Sequence, residues 1–161
     1  MTKETGIRIE PITDTEYLRA LLMKRWGDTL LMGGRAWPCE QVRAFRAIDP
    51  DGGLLGFVSW NILRATAMVF TLDSHKPGLG IGARLLDAVA EAARREGAKA
   101  IRVMTTNDNT PALFYYQKLG FQLVGFFPAA VDIYRAVAPH LPTIGHGGLP
   151  IRDTLELEKA L

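Results

Sequence analysis

The segment Lys76-Pro-Gly-Leu-Gly-Ile-Gly-Ala83 lies between an apolar stretch, residues 64–72, and an amphipathic stretch, residues 80–96. The apolar stretch has the composition of a strand, and in the amphipathic stretch apolar residues recur on one helical face. Glycines allow a ligand to approach the backbone closely, while the free N–H groups and the dipole of a first helical turn favour an anion. The segment therefore predicts a strand, a glycine turn and a helix that together bind an anion such as phosphate.

Three interpretations of this glycine turn compete. In the simplest, the glycines only build a tight connection between a strand and a helix. In the second, Gly78-x-Gly80-x-x-Ala83 is the dinucleotide fingerprint, which requires an acidic residue at the end of the next strand. That strand ends in Thr105-Thr106 instead, and the lysine and hydroxyl residue of a Walker P-loop are missing as well. In the third, the turn binds the phosphates of another coenzyme, while a nucleotide-binding oxidoreductase stays an alternative function.

The rest of the chain alternates between strand and helix patterns. Asp51-Gly52 lies between two strand-like runs and predicts a hairpin. The Gly33-Gly34 pair and Pro38 interrupt any period, so residues 26–39 are expected to form an irregular loop. The predicted strands are residues 7–12, 42–49, 54–61, 64–72, 99–105, 121–127 and 154–159, and the predicted helices are residues 14–25, 80–96, 111–119 and 129–137.

Length and composition limit the class of protein. The chain has 161 residues, of which 48% are hydrophobic and 22% are charged, and it is expected to be one globular domain over residues 1–161. A Pro/Gly-rich insertion at about residues 129–152 precedes the last strand. The formal net charge of +2 is too small to predict a nucleic-acid partner or binding to a membrane surface.

Cysteine and histidine usage indicates neither disulfide nor metal chemistry. Cys39 is the only cysteine, so an internal disulfide is impossible. The three histidines, His75, His140 and His146, are far apart and do not predict a metal site. The first residues have no apolar signal-peptide core, and no stretch has the roughly 18 to 20 apolar residues that span a bilayer. We therefore expect a cytoplasmic protein without a bound metal.

Two stretches together resemble a known family. Gly78-Leu-Gly-Ile-Gly-Ala-Arg-Leu-Leu86 is followed by Thr105-Thr-Asn-Asp-Asn-Thr-Pro-Ala-Leu-Phe-Tyr-Tyr-Gln-Lys-Leu-Gly-Phe121, and the pair looks like motifs A and B of the GCN5-related N-acetyltransferase (GNAT) superfamily. Pro77 stands where this family usually has Gln or Arg, which removes one side chain and one N–H near the coenzyme pyrophosphate. The resemblance implies an α/β fold with a mixed, mostly antiparallel central sheet flanked by helices on both faces.

The resemblance also implies a reaction. Enzymes of this family transfer an acetyl group from acetyl-CoA, the co-substrate, to an amine that attacks the thioester directly. Tyr116 is implied to protonate the leaving thiolate, and Asn109 is implied to bind the pantetheine or the nearby phosphate region. The strand before the turn is implied to pair with the pantetheine, and the Leu72 N–H to donate to the thioester oxygen. The implied coenzyme-binding residues are Phe70, Thr71, Leu72, Gly78, Leu79, Gly80, Ile81, Gly82, Ala83 and Asn109.

Both implied side chains have a second interpretation. Ala112, Tyr115, Tyr116 and Leu119 share one helical face, so Tyr116 could be only a core aromatic residue. Asn109 stands just before a proline and could be only a helix cap. The implied chemistry is nevertheless sound, because a phenol with a pKa of about 10 stays neutral at pH 7 and can protonate a thiolate whose conjugate acid has a pKa near 8.5.

The acceptor amine belongs to a small molecule or a protein, and the sequence does not identify it. The resemblance places the acceptor pocket in residues 26–39 and 129–152, although the second segment could instead lie over the site or form a homodimer. Asn107 and Asp108 are interpreted as loop hydrogen-bonding residues. An acyl-CoA-binding regulatory domain of the same fold, without turnover, is the alternative function. The residues that could take the proton of the amine are Glu40, Asp73, His75, Asp132 and His140.

Overall fold

The computed structural model describes residues 6–161, so residues 1–5 of the predicted domain lie outside the described residues. The described residues form two compact units. The first runs to Lys99 and also includes Leu161, and the second is Ala100–Ala160. The prediction that the chain is a single domain stays a prediction.

The first unit contains an antiparallel sheet with the strand order β1-β4-β5-β6 and a separate two-stranded sheet, β2-β3. The predicted hairpin is present, since Asp49 Oδ1 accepts hydrogen bonds from the N–H groups of Asp51 and Gly53 in the turn between β4 and β5. The elements are β1 (Arg8–Ile12), α1 (Thr15–Met23), β2 (Thr29–Met32), β3 (Arg35–Pro38), β4 (Arg43–Ile48), β5 (Leu54–Leu63), β6 (Thr66–Ser74) and α2 (Ile81–Arg95).

Helices cover both faces of the sheet in the first unit. Leu22 of α1 is fully buried in an apolar cluster that includes Phe57 of β5. The neighbouring residue, Gly56, points to the opposite face, where a Cβ would lie 3.1 Å from Ile81 of α2. Successive strand residues face opposite sides of a sheet, so α1 and α2 pack on different faces, as predicted.

One prediction for the first unit is wrong. Residues 26–39 were expected to form an irregular loop, but they contain β2 and β3, which pair from Thr29↔Pro38 to Met32↔Arg35. Gly33 and Gly34 have φ values of 64° and 73° and form the turn between them. A two-residue hairpin of type I′ needs two successive residues with positive φ, so the glycine pair that interrupts the sequence pattern is what allows the hairpin.

The second unit contains a three-stranded antiparallel sheet with the order β7-β9-β8. β9 lies in the middle, and its Leu157 is fully buried. These pairings and the helices agree with the predicted α/β class. No helix among residues 6–161 is long and apolar enough to cross a bilayer. The elements are β7 (Ala100–Thr106), α3 (Thr110–Lys118), β8 (Gln122–Phe127), α4 (Ala130–Arg135) and β9 (Thr154–Ala160).

Candidate functional site

The glycine turn leads into a helix whose first N–H groups are not capped by a side chain. Gly80 is the N-cap of α2, with φ 67° and ψ 22°, and the first turn of α2 contains no acidic residue. Gly78 also has a positive φ, 84°, and Leu79 between them is exposed. A Cβ at Gly80 would meet no atom within 4 Å. An uncapped helix N-terminus beside open space is suited to an anion, because its N–H groups and the helix dipole both favour negative charge.

The strand before the turn contains a β-bulge. Ser59 pairs with Thr71 and Trp60 with Val69, so Phe70 is an extra residue on β6. Thr71 is held by a 2.6 Å hydrogen bond between its Oγ1 and Ser59 Oγ. The pairing resumes at Thr71, and Leu72, the predicted N–H donor, lies opposite Val58. Bulges change the direction of a strand and are common beside functional sites, and this one lies two residues before Leu72.

Asp73, directly after Leu72, is the centre of a small charged cluster. Arg25 donates to Asp73 Oδ1 over 3.3 Å, and His75 Nε2 lies 3.3 Å from Asp73 Oδ2. The other ring nitrogen of His75 lies 3.3 Å from the Leu54 carbonyl oxygen. Of the five predicted proton acceptors, Asp73 and His75 are therefore in contact with each other. Arg25 was missed by the sequence analysis, because 48 residues separate it from Asp73.

The remaining predicted proton acceptors lie elsewhere. Arg19 donates a hydrogen bond to Glu40, which lowers the pKa of this carboxyl group. Asp132 forms an ion pair with Arg135 of the same short helix. His140 is exposed. A carboxylate held by an arginine is a weaker base than a free one, so the contact with Arg19 argues against Glu40 as the proton acceptor.

Tyr116, the predicted proton donor, is a buried aromatic residue of α3. It is 8% exposed, and its ring lies 5.7 Å from those of both Tyr115 and Phe121. Burial raises the pKa of Tyr116 from 10.0 to about 12, because the charged phenolate is poorly solvated there. The phenol is therefore neutral at pH 7 and a weaker acid than an exposed tyrosine.

Asn109, the predicted coenzyme contact on the same helix, has the capping role that its sequence position allowed. Its Oδ1 accepts a hydrogen bond from the Ala112 N–H over 3.2 Å, and a proline follows in the first turn of α3. Asn109 is exposed, and its side-chain amide keeps its two N–H donors for another partner. Capping and ligand binding are compatible at this residue.

The tryptophans of the predicted acceptor segment pack in or against the core. Trp37 is 3% exposed, donates to the Met32 carbonyl oxygen over 3.0 Å and packs 5.1 Å from the ring of Phe70. Trp26 packs edge-on against Phe57 at 5.8 Å. Trp26 therefore supports β5, and Trp37 supports β6 at Phe70, the residue of the bulge.

Known proteins similar to this chain agree with the motifs. A model of the "Acetyltransferase (GNAT) family" matches residues 17–121, more than half of the chain. The chain is 32% identical to the protein YdhI of Bacillus subtilis (strain 168) over 139 residues, which cover 86% of this chain and 87% of YdhI. It is also 34% identical to streptothricin acetyltransferase of Streptomyces lavendulae over 88 residues, 52% of this chain and 46% of that enzyme.

A solved structure with a similar fold comes from the same family. A GNAT family acetyltransferase from Elizabethkingia anophelis, solved with acetyl-CoA bound, superposes with a TM-score of 0.73 over 98% of this chain and 100% of that one, at 18% identity. This likeness establishes the fold, and the predicted class with its mostly antiparallel sheet is confirmed. Sequence motifs, family match and fold therefore agree: the chain belongs to the GNAT acetyltransferase family.

Proposed function

We propose that this protein transfers the acetyl group of acetyl-CoA to an amine by direct attack. The observation that carries the proposal is the glycine turn, which leads to an uncapped helix N-terminus with open space at Gly80. The acetyl-CoA bound to the Elizabethkingia anophelis protein, which has the same fold, supports the choice of co-substrate. The thioester of acetyl-CoA supplies the activated acyl group.

The proposed coenzyme contacts are backbone groups of the glycine turn and of β6, and the side chain of Asn109. The N–H groups of residues 79–83 bind the pyrophosphate, with Gly78 and Gly80 keeping side chains out of its space. In the C-terminal half of β6, the backbone of Phe70, Thr71 and Leu72 pairs with the pantetheine. Asn109 binds the coenzyme with its amide N–H groups while its oxygen caps α3. Uncapped N–H groups of a long helix fit the phosphates, because anions are favoured there.

The reaction needs a donor for the thioester oxygen and a proton for the leaving sulfur. The Leu72 N–H donates to the oxygen that becomes negatively charged when the amine attacks, an interaction typically worth about 2.7 to 4 kcal/mol. The carbon–nitrogen bond forms, the carbon–sulfur bond breaks, and Tyr116 donates its proton to the thiolate. The resulting phenolate then takes a proton from water, which restores the phenol. The surplus proton of the amine passes to the Asp73 cluster or to water.

The raised pKa of Tyr116 shapes this proposal. In the structure without coenzyme the pKa of Tyr116 is about 12. With this pKa, proton transfer from the phenol to a thiolate is energetically uphill. The transfer becomes easier once an anionic phenolate is no longer surrounded only by apolar groups, and a coenzyme beside Tyr116 changes that environment. General acids commonly act under such conditions by partial proton transfer in the transition state.

The acceptor is proposed to be a small-molecule amine. Streptothricin acetyltransferase, a partial relative, is named for such an acceptor. The test is thiol release from acetyl-CoA with a panel containing streptothricin, polyamines, amino acids and peptides, together with calorimetric titration of acetyl-CoA. We expect amine-dependent thiol release with at least one small molecule. Binding of acetyl-CoA without turnover on the panel would favour a regulatory acyl-CoA-binding domain, and stabilisation by NAD instead of acetyl-CoA would contradict the proposal.

A further inference from the structure

The segment before β9 folds back on itself and forms a defined structure. Residues 142–153, here called the strap, contain an isolated antiparallel bridge between Ile144 and Pro150. The Gly145 N–H donates to the Leu149 carbonyl oxygen over 2.8 Å, and the Ile151 N–H donates to the Thr143 carbonyl oxygen over 2.9 Å. The strap is therefore an ordered loop with its own hydrogen bonds.

Asn107, in the loop between β7 and α3, joins this loop to the strap with four hydrogen bonds. Its Oδ1 accepts from the N–H groups of Arg152 and Asp153 over 2.9 and 3.0 Å. Its Nδ2 donates to the Pro150 carbonyl oxygen over 2.9 Å, and its own N–H donates to the Asp153 carbonyl oxygen over 3.1 Å. The side chain thus uses both acceptor positions of Oδ1 and one of the two N–H groups of Nδ2 in hydrogen bonds to the strap.

Asp108, the next residue, holds the tip of the strap. It is 6% exposed, and its Oδ2 accepts from the His146 N–H over 3.0 Å. Its other oxygen accepts from the Thr106 hydroxyl. A Cβ at Gly145 would lie 2.0 Å from Asp108 Oδ2. Only glycine at position 145 allows the strap to approach this carboxylate so closely. The reason is space and not a left-handed backbone, because the φ of Gly145 is −122°.

The other side of the strap is anchored to α4. Arg135 donates to the carbonyl oxygens of Pro142 and Ile151, each over 2.7 Å. Asp153 accepts from the Ala129 N–H over 2.8 Å, and this hydrogen bond lowers the pKa of Asp153. The strap is therefore held at both sides, and the loop between β7 and α3 is attached to a fixed support.

We propose that the strap positions Asn109 for the coenzyme, with Asn107 and Asp108 as positioning residues. This inference rests on the proposed function. Asn109 follows Asp108 directly, and its N–H donates to the Thr106 carbonyl oxygen over 3.0 Å. The Thr110 N–H donates to the Asp108 carbonyl oxygen over 2.8 Å. The N-cap of α3 is therefore hydrogen-bonded to the same loop that the strap holds. A contact that is ordered before binding costs less entropy when the ligand arrives.

The test separates the strap from the loop without altering Asn109. Gly145→Ala forces the strap away from Asp108, and Thr143→Ala, an exposed position of the same strap, is the matched control. We expect Gly145→Ala to raise the KM and Kd for acetyl-CoA roughly 5- to 30-fold, the effect of freeing about one backbone residue. The kcat should change less than about twofold, because a contact made equally in ground and transition states affects KM alone. The control should match wild type.

A second variant covers the case in which Gly145→Ala does not fold. Asn107→Asp keeps both acceptor contacts and replaces the donor to the Pro150 carbonyl oxygen by an oxygen, and it should raise the KM in the same direction. Hydrogen exchange of residues 107–112 should be faster in both variants. A folded variant with faster hydrogen exchange at residues 107–112 but a wild-type KM for acetyl-CoA would overturn the positioning role of the strap and leave the proposed function intact. Failure of wild type itself to bind acetyl-CoA would overturn the proposed function and this inference together.

Discussion

The two units supply candidate site residues of different kinds. In the first unit the glycine turn and β6 offer backbone N–H groups, and the turn residues Gly78 to Gly80 are exposed. In the second unit the candidates are two side chains of α3, with Tyr116 buried and Asn109 exposed. A backbone donor is lost when a new side chain fills the space in front of it, whereas a side-chain donor is lost when one group is removed. Opposite kinds of substitution therefore test the two units.

The largest effect is expected at Tyr116. Tyr116→Phe keeps the ring and its contacts with Tyr115 and Phe121, and it removes only the hydroxyl. General acids typically contribute about 10²- to 10⁴-fold, so the chemical step should slow by that factor while affinity for acetyl-CoA is unchanged. Single-turnover kinetics measure this step. Tyr115→Phe is the matched change one residue away, and a Tyr116→Phe enzyme as fast as wild type would leave water as the proton donor.

The burial of Tyr116 also predicts a pH dependence of stability that the exposed glycine turn cannot have. The unfolded phenol ionises near pH 10, while the folded one keeps its proton to about pH 12. The folded-state pKa is raised, so its contribution is complete below about pH 10 and is lost as the pH rises toward 12, in total about 2 to 3 kcal/mol. Urea unfolding of wild type and Tyr116→Phe across this range measures the difference. A constant difference at all pH values would contradict the raised pKa.

At the glycine turn, adding a side chain should weaken coenzyme binding. Gly80→Val places a branched side chain in the open space before α2, and we expect at least a tenfold rise in the Kd for acetyl-CoA, about 1.4 kcal/mol. Gly52→Val is the matched control, because Gly52 also has a positive φ and no atom within 4 Å of its Cβ position. Calorimetry on folded variants compares them. Equal affinities of Gly80→Val and Gly52→Val for acetyl-CoA would contradict the placement of the pyrophosphate at the glycine turn.

The smallest effect is expected from a pair of helix caps. Asn109→Ala and Asp14→Ala each remove an N-cap, which typically costs about 1 kcal/mol of stability. Asp14 accepts from the N–H groups of Glu16 and Tyr17, and it belongs to α1 of the first unit. Chemical denaturation should find both variants less stable, whereas only Asn109→Ala should also bind acetyl-CoA more weakly. If the two variants bind equally well, Asn109 is a cap and nothing more.

The hairpin at residues 29–38 illustrates where prediction from sequence failed. The Gly33-Gly34 pair is a turn signal as well as a break, and the choice depends on whether the flanking residues pair. Leu30 and Trp37 pair and are both buried against α1 and β5. That contact involves parts of the chain far apart in sequence, so the local pattern did not reveal it. At Asp51-Gly52 the longer flanking strands carried enough pattern to predict the hairpin.

The sequence by itself determined what depends on close spacing along the chain. The glycine turn before α2 and Asn109 as a cap of α3 follow from neighbours a few positions apart, and the structure contains both. These features arise because a backbone conformation or a nearby N–H group selects the residue type.

Only the tertiary structure decided which distant residues meet. It placed Arg25 beside Asp73, gave β6 a bulge at Phe70, and joined Asn107 to Arg152 across 45 residues. It also buried Tyr116 between aromatic rings, which raises its pKa. Strand register and packing bring these groups together, and neither is encoded in the spacing of any single segment, because each requires a partner surface from elsewhere in the chain.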